Sequence, residues 1–140
     1  MMYILDSDIL SLLQAGHPRV GRWRGRVDPA DVATTIITRI EILRARFDHL
    51  LKANTGEELQ RAQQWLIRSE ELLNRVVVFP VDAAAAAQFD RLRHVKTLRK
   101  IGRNDLLIAS ISLSRQATLV TRNVRHFRLI PGLRVEDWAR

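Results

Sequence analysis

Short apolar or β-branched segments alternate with helix-patterned stretches along this chain, and that alternation limits its fold more than any other feature. Tyr3-Ile4-Leu5 reads as a short buried strand, after which Asp6-Ser7-Asp8 open a helix over residues 9–13. Residues 32–37 are rich in β-branched side chains and read as a second strand. Over residues 39–51 the apolar side chains fall at helical spacing, Asn54-Thr55-Gly56 closes that helix, and residues 57–74 form a longer amphipathic one. Val76-Val77-Val78-Phe79 is too short for a helix and is stopped by Pro80.

Asp82 caps an alanine-rich helix over residues 83–96, and residues 97–103 form an irregular basic connection ending near Gly102. A helix over residues 106–113 and a strand over 118–121 follow, with a last strand or extended end around Leu133 to Val135 after the Pro131-Gly132 turn. This order implies an α/β chain built on a parallel sheet of four to five strands covered on both faces. Its 140 residues suit a single domain, 1–140, with one hydrophobic core, and no repeat, linker or low-complexity segment interrupts it.

Composition narrows the chemistry. Hydrophobic residues make up 46% and charged residues 27%, as in ordinary globular proteins. With no cysteine there are no disulfides, thiolate zinc sites or thiol nucleophiles, which suits a cytoplasmic protein. No signal-peptide pattern or membrane-length apolar run occurs, so no membrane role is expected. The four histidines, His17, His49, His94 and His126, lack the paired spacing of a zinc site on one helix. Any metal is therefore expected on oxygen ligands.

The net charge is +8, and lysine occurs only at Lys52, Lys96 and Lys100, so the basic set is almost all arginine. The arginine fork matches phosphate oxygens and leans toward nucleic acid, although genomic base composition accounts for the same bias. Three basic segments stand out: Arg19 to Arg26, Arg91 to Arg103, and Arg122, Arg125 and Arg128. Trp23 lies among arginines and could stack on a base, but packing against a neighbouring helix explains it equally, as it does Trp65 and Trp138.

Three acids stand at helix starts. In open parallel sheets, ligands bind outside the carboxyl ends of strands, which is where Asp6 falls. One residue of Asp6-Ser7-Asp8 caps the following helix, but two acids exceed what one cap needs. Glu41 completes Thr38-Arg39-Ile40-Glu41, a capping-box pattern. Asp105 sits where negative charge suits a helix dipole. Each alone reads as structural; together, the topology gathers them at one sheet edge, where a hard cation such as Mg2+ would relieve their repulsion.

Four segments in order, Tyr3-Ile4-Leu5-Asp6-Ser7-Asp8-Ile9-Leu10-Ser11, Thr38-Arg39-Ile40-Glu41, Gly102-Arg103-Asn104-Asp105-Leu106-Leu107-Ile108-Ala109 and Thr121-Arg122-Asn123-Val124-Arg125-His126-Phe127, resemble the acidic motifs of PIN-domain ribonucleases. The likeness is strongest to the VapC toxin branch of type II toxin–antitoxin systems. It implies an α/β/α sandwich and a Mg2+-dependent endoribonuclease, with Mn2+ able to substitute, in which a metal-activated water attacks phosphorus. Asp6, Glu41 and Asp105 would be the metal ligands and catalytic acids, with Asp8 an accessory ligand. Ser7, Asn123, His126, Arg122 and Arg103 would touch substrate or support the acids. Many relatives carry a fourth acid where this chain has Asn123, which makes a one-metal site easier to defend.

The resemblance also implies an RNA substrate, with transfer RNA a family-level guess, a VapB-like antitoxin partner and a homodimer. The helices over residues 39–51 and 57–74 could clamp that antitoxin. Two other readings stay open. A non-catalytic RNA- or partner-binding module of the same fold would explain Asn123. A haloacid-dehalogenase-type phosphatase would use Asp6 and Asp8, but it needs a downstream lysine and an acidic pair that Asp105 alone does not supply. A DNA-binding helix-turn-helix would leave the strands and acids unexplained.

Overall fold

The computed structural model describes residues 1–140. Five short strands, β1 (Tyr3–Leu5), β2 (Val32–Thr35), β3 (Val77–Phe79), β4 (Thr118–Val120) and β5 (Arg134–Glu136), form one sheet in the order β3-β2-β1-β4-β5. Every pairing is parallel, with Ile4 opposite Ala33 on one side and Leu119 on the other. The seven helices are α1 (Ser7–Gln14), α2 (Pro18–Arg26), α3 (Ile36–Leu51), α4 (Gly56–Asn74), α5 (Ala83–Leu92), α6 (Arg103–Ser114) and α7 (Val124–Phe127).

Strand periodicity divides the core into two layers. Ile4, Ala33 and Leu119 face one side and pack with Leu92, Ile108 and Phe127 from α5, α6 and α7. Their neighbours Leu5, Val32 and Val120 face the other side and pack with Ile9, Val20, Ile42 and Leu73 from α1 to α4 and with Trp138. Both faces are covered, and the central strands are buried along almost their whole length, with Thr34, Thr35 and Thr118 the buried polar residues among them. The sandwich read from the sequence is therefore the observed one.

Local sequence explains where the helices begin. Asp6, Thr35, Thr55 and Asp82 each accept a hydrogen bond from a backbone amide three residues on and cap α1, α3, α4 and α5. Arg46 then fastens α3 to its neighbours: Nε donates to Ser69 Oγ at 3.0 Å, Nη2 to Ser11 Oγ at 3.1 Å, and the guanidinium lies 5.3 Å from the Trp65 ring centre. These contacts tie α3 to α1 and α4, and so fix how α3 presents its first turns to the end of the sheet.

Several expectations are corrected. The second strand stops at Thr35, not Ile37, because the Thr35 hydroxyl accepts from the Thr38 amide and starts α3. The capping box at Thr38 does not form, and Glu41 lies in the second turn of α3 rather than folded back on its start. The helix after Asp82 ends at Leu92, with Lys96–Leu98 a separate 3-10 turn. Residues 18–26, read as a basic segment, form α2, with Pro18 in its first turn and His17 as cap. Trp138 is fully buried and stacks on Trp23, with ring centres 6.0 Å apart and planes 8° from parallel. Trp23 is thus a packing residue.

Candidate active site

The carboxyl ends of the central strands open onto a cavity of about 240 Å3 lined by Asp6, Ser7, Asp8, Glu41, Asp105, Ile108, Asn123 and Phe127. It receives β1 through Asp6, α3 through Glu41, α6 through Asp105, and the turn after β4 through Asn123. Residues separated by more than a hundred positions meet because β1 lies between β2 and β4. The ladder continues one residue past the strands: the Asp6 amide donates to the Val120 carbonyl at 3.1 Å and the Thr121 amide to the Glu136 carbonyl at 2.9 Å. Asp6 and Thr121 are therefore held side by side at the mouth.

Each acid is partly restrained. Asp6 Oδ1 accepts from the Ile9 amide at 3.1 Å, which spends one oxygen on capping α1. Glu41 Oε1 accepts from Ser7 Oγ at 3.1 Å and Oε2 from Asn104 Nδ2 at 3.3 Å. Asp105 occupies the first turn of α6, whose Gly102 cap offers no side chain to the free amides there. Its Oδ2 lies 3.1 Å from His126 Nε2. That ring nitrogen makes no aligned hydrogen bond, so the two side chains are in contact with room to adjust.

Burial raises the Asp6 pKa from 3.8 to about 6, and the negative charges of Asp8 and Asp105 add to the shift against hydrogen bonds from Thr121 and Ile9 that lower it. No lysine or arginine lines the cavity. Four carboxylates in one small space, without a cationic side chain, favour either a shared proton or a bound cation. The donors are all oxygen, which suits a hard divalent ion. No three of these groups close into a ready ligand cage.

The structure gathers Asp6, Ser7, Asp8, Glu41, Asp105 and Asn123 as the sequence led us to expect, and it sets His126 against Asp105. The two arginines go elsewhere. Arg103 lies over the Phe89 ring, 5.4 Å from its centre, and Arg122 lines a neighbouring cleft. Sequence reasoning passed over Asn104 and Thr121. Asn104 directly precedes Asp105 and was legible as a polar residue in a helical first turn, while the Thr121 contact with Asp6 depends on strand order alone.

Comparison with known proteins places this architecture. The PIN domain family model matches residues 3–133. The chain is 27% identical to a tRNA(fMet)-specific endonuclease VapC from Shigella flexneri, with 99% of each chain covered. It is 29% identical to the ribonuclease VapC1 of Haemophilus influenzae strain R2866 over the whole of both chains. Among solved structures, that of VapBC-1 from nontypeable Haemophilus influenzae superposes with a TM-score of 0.80 at 26% identity, covering both chains fully. With its five-stranded parallel sheet, its acid-lined mouth and a family match across nearly its whole length, this chain belongs to the PIN-domain family.

Proposed function

We propose that this chain is a metal-dependent endoribonuclease acting as the toxin of a toxin–antitoxin pair. One observation carries the reading: four carboxylates, two from the start of α1 and one each from α3 and α6, line one cavity at the sheet's carboxyl edge with no lysine or arginine among them. In this reading the cation is Mg2+, with Mn2+ able to substitute, and Asp6, Glu41 and Asp105 would hold it with Asp8 as an accessory ligand. When bound, such an ion neutralises phosphate oxygens and lowers the pKa of a water in its shell.

The chain's own residues supply the rest. Ser7 and Asn104 each donate to one oxygen of Glu41 and fix its orientation. Asn123, whose side chain caps nothing, is free to donate to a substrate oxygen. His126 packs beside Asp105 at the edge of the cavity. Burial by Ile108 and Phe127 limits water around Asp6, which strengthens every charge interaction there.

The substrate class to test first is transfer RNA, since a full-length relative is a tRNA(fMet)-specific endonuclease. An antitoxin is assigned to the α3–α4 face, where Phe47, Leu51 and Leu59 are 51%, 66% and 46% exposed. A cleft of about 610 Å3 beside them is lined by His49, Lys52, Glu58, Arg61 and Trp65. No helix is long and apolar enough to cross a membrane. The test is incubation of labelled transfer RNA with the purified chain in Mg2+, Mn2+ and EDTA. Discrete cuts that need the divalent ion are expected; RNA that is bound but never cut would favour the non-catalytic module.

A further inference from the structure

Beside the acid pocket lies a second cleft of opposite charge, about 500 Å3 in volume and lined by Arg122, Val124, Arg125, Arg128, Asp137 and Arg140. All four arginines are exposed, and none forms an ion pair or donates a side-chain hydrogen bond. The only acid among them, Asp137, already accepts from the Ala139 amide at 2.8 Å. Four guanidinium groups thus line one cleft in which Asp137 is the only acidic side chain, an arrangement that favours an anion.

Two features make the cleft a built element of the fold. Its far wall is pinned by Trp138, which is fully buried between Tyr3 and Trp23, with ring centres 5.5 and 6.0 Å away, so Asp137 and Arg140 flank an anchor in the core. Its near wall is shared with the acid pocket. Asn123 and Phe127 face the carboxylates while Arg122, Val124, Arg125 and Arg128 face the arginine cleft. Neighbouring residues are about 3.8 Å apart along the backbone, so a polynucleotide leaving one cavity enters the other within a few nucleotides.

We infer that Arg122, Arg125, Arg128 and Arg140 form a phosphate cradle that grips the RNA backbone a few nucleotides from the phosphate lying at the carboxylates. The inference rests on the RNA substrate proposed above. Arginine forks pair with the non-bridging oxygens of a phosphodiester, and the cradle offsets the repulsion that the acid pocket exerts on any polyanion. It binds backbone and not base edges, so it positions the strand and adds no sequence preference.

Binding of a labelled single-stranded RNA, followed by fluorescence anisotropy in EDTA from roughly 50 to 200 mM salt, tests the cradle. Arg125→Gln with Arg128→Gln is expected to weaken binding about tenfold or more and to reduce the salt slope by about 1.4, at about 0.7 per lost phosphate contact. The control, Arg68→Gln with Arg75→Gln, removes equal charge from the region of α4 and is expected to stay within about twofold of the wild type. Equal weakening by both pairs, or none by the first, overturns the cradle. So does displacement of the RNA by polyglutamate more readily than by unlabelled RNA, which would assign the cleft to an acidic protein. Cutting of the same RNA after Mg2+ or Mn2+ is added reads the nuclease separately. Cradle-dependent binding without cutting removes the nuclease and keeps the cradle, whereas cutting with unchanged binding in the first pair removes the cradle alone.

Discussion

The acid pocket and the arginine cleft share one wall, residues 122–128, yet they are built on opposite plans. In the pocket Asp6 and Glu41 have hydrogen bonds that fix their direction, from the Ile9 amide and from the Ser7 and Asn104 side chains, and Asp105 lies against the His126 ring. In the cleft the arginines have no such partners and stand in solvent. Chemistry at phosphorus needs atoms placed within a fraction of an ångström, so its groups must be held before substrate arrives. Grip on a flexible polyanion needs charge and reach, which long unpaired side chains supply.

That contrast predicts very different sensitivities. The largest effect belongs to the pocket. Asp105→Asn is expected to lower RNA cleavage at least about 1000-fold, near 4 kcal/mol at 1.36 kcal/mol per decade, while leaving RNA binding in EDTA intact or tighter. Single-turnover cleavage alongside binding measures this, and a variant that loses both together would show that pocket and cleft are not separable.

Next comes the anchor of the cleft. Trp138→Ala is expected to destabilise the fold by about 3–5 kcal/mol, since it empties the space between Tyr3 and Trp23. Urea unfolding measures it. A loss below about 1 kcal/mol would mean that the far wall of the cleft is not anchored through this ring.

A smaller effect comes from proton linkage at Asp6. Its folded pKa of about 6 lies above the ordinary 3.8, so the folded chain holds this proton more tightly than the unfolded chain does. The resulting stabilisation is complete below the unfolded value and is lost as pH rises through about 6. Ionised Asp6 therefore burdens the metal-free fold by up to about 3 kcal/mol, at 1.36 kcal/mol per pKa unit. Asp6→Asn keeps an oxygen for the Ile9 amide, and it is expected to raise the Tm at pH 8 in EDTA but not at pH 4. A divalent ion is expected to raise the wild-type Tm and to leave the variant unchanged. Thermal melts at both pH values decide this; a variant less stable than the wild type at pH 8 would contradict the linkage.

The smallest effect concerns the support of Glu41. Asn104→Ala removes one hydrogen bond at 3.3 Å, and cleavage is expected to fall about three- to tenfold, in keeping with about 1 kcal/mol for such a contact. No change would show that Ser7 alone suffices to orient Glu41.

Which parts were legible in the sequence follows from the same physics. The strands were readable because they are short and rich in apolar or β-branched residues, and Asp6 and Asp105 were readable because they stand where strand or loop gives way to helix. The helix over Pro18–Arg26 was hidden because Gly21 and Gly25 are poor helix formers and only Val20 is fully buried. It exists through tertiary contact, chiefly Trp23 against Trp138 at the other end of the chain. Thr38 and Glu41 imitated a capping box because the actual cap, Thr35, lies one turn earlier inside a β-branched run. Three of the cleft's arginines, Arg122, Arg125 and Arg128, were legible as one basic segment, but Arg140 was not, since it joins them through the order of β4 and β5 and not through spacing.

The most direct test of the central claim, that these carboxylates hold the divalent ion with which RNA is cut, is the cleavage rate of one labelled RNA against Mn2+ concentration in the wild type and Asp105→Asn. A saturable rise in the wild type, abolished by EDTA and reduced at least about 1000-fold in the variant at every concentration, is the expected result. Cleavage that persists in EDTA, or that proceeds equally in Asp105→Asn, would contradict it.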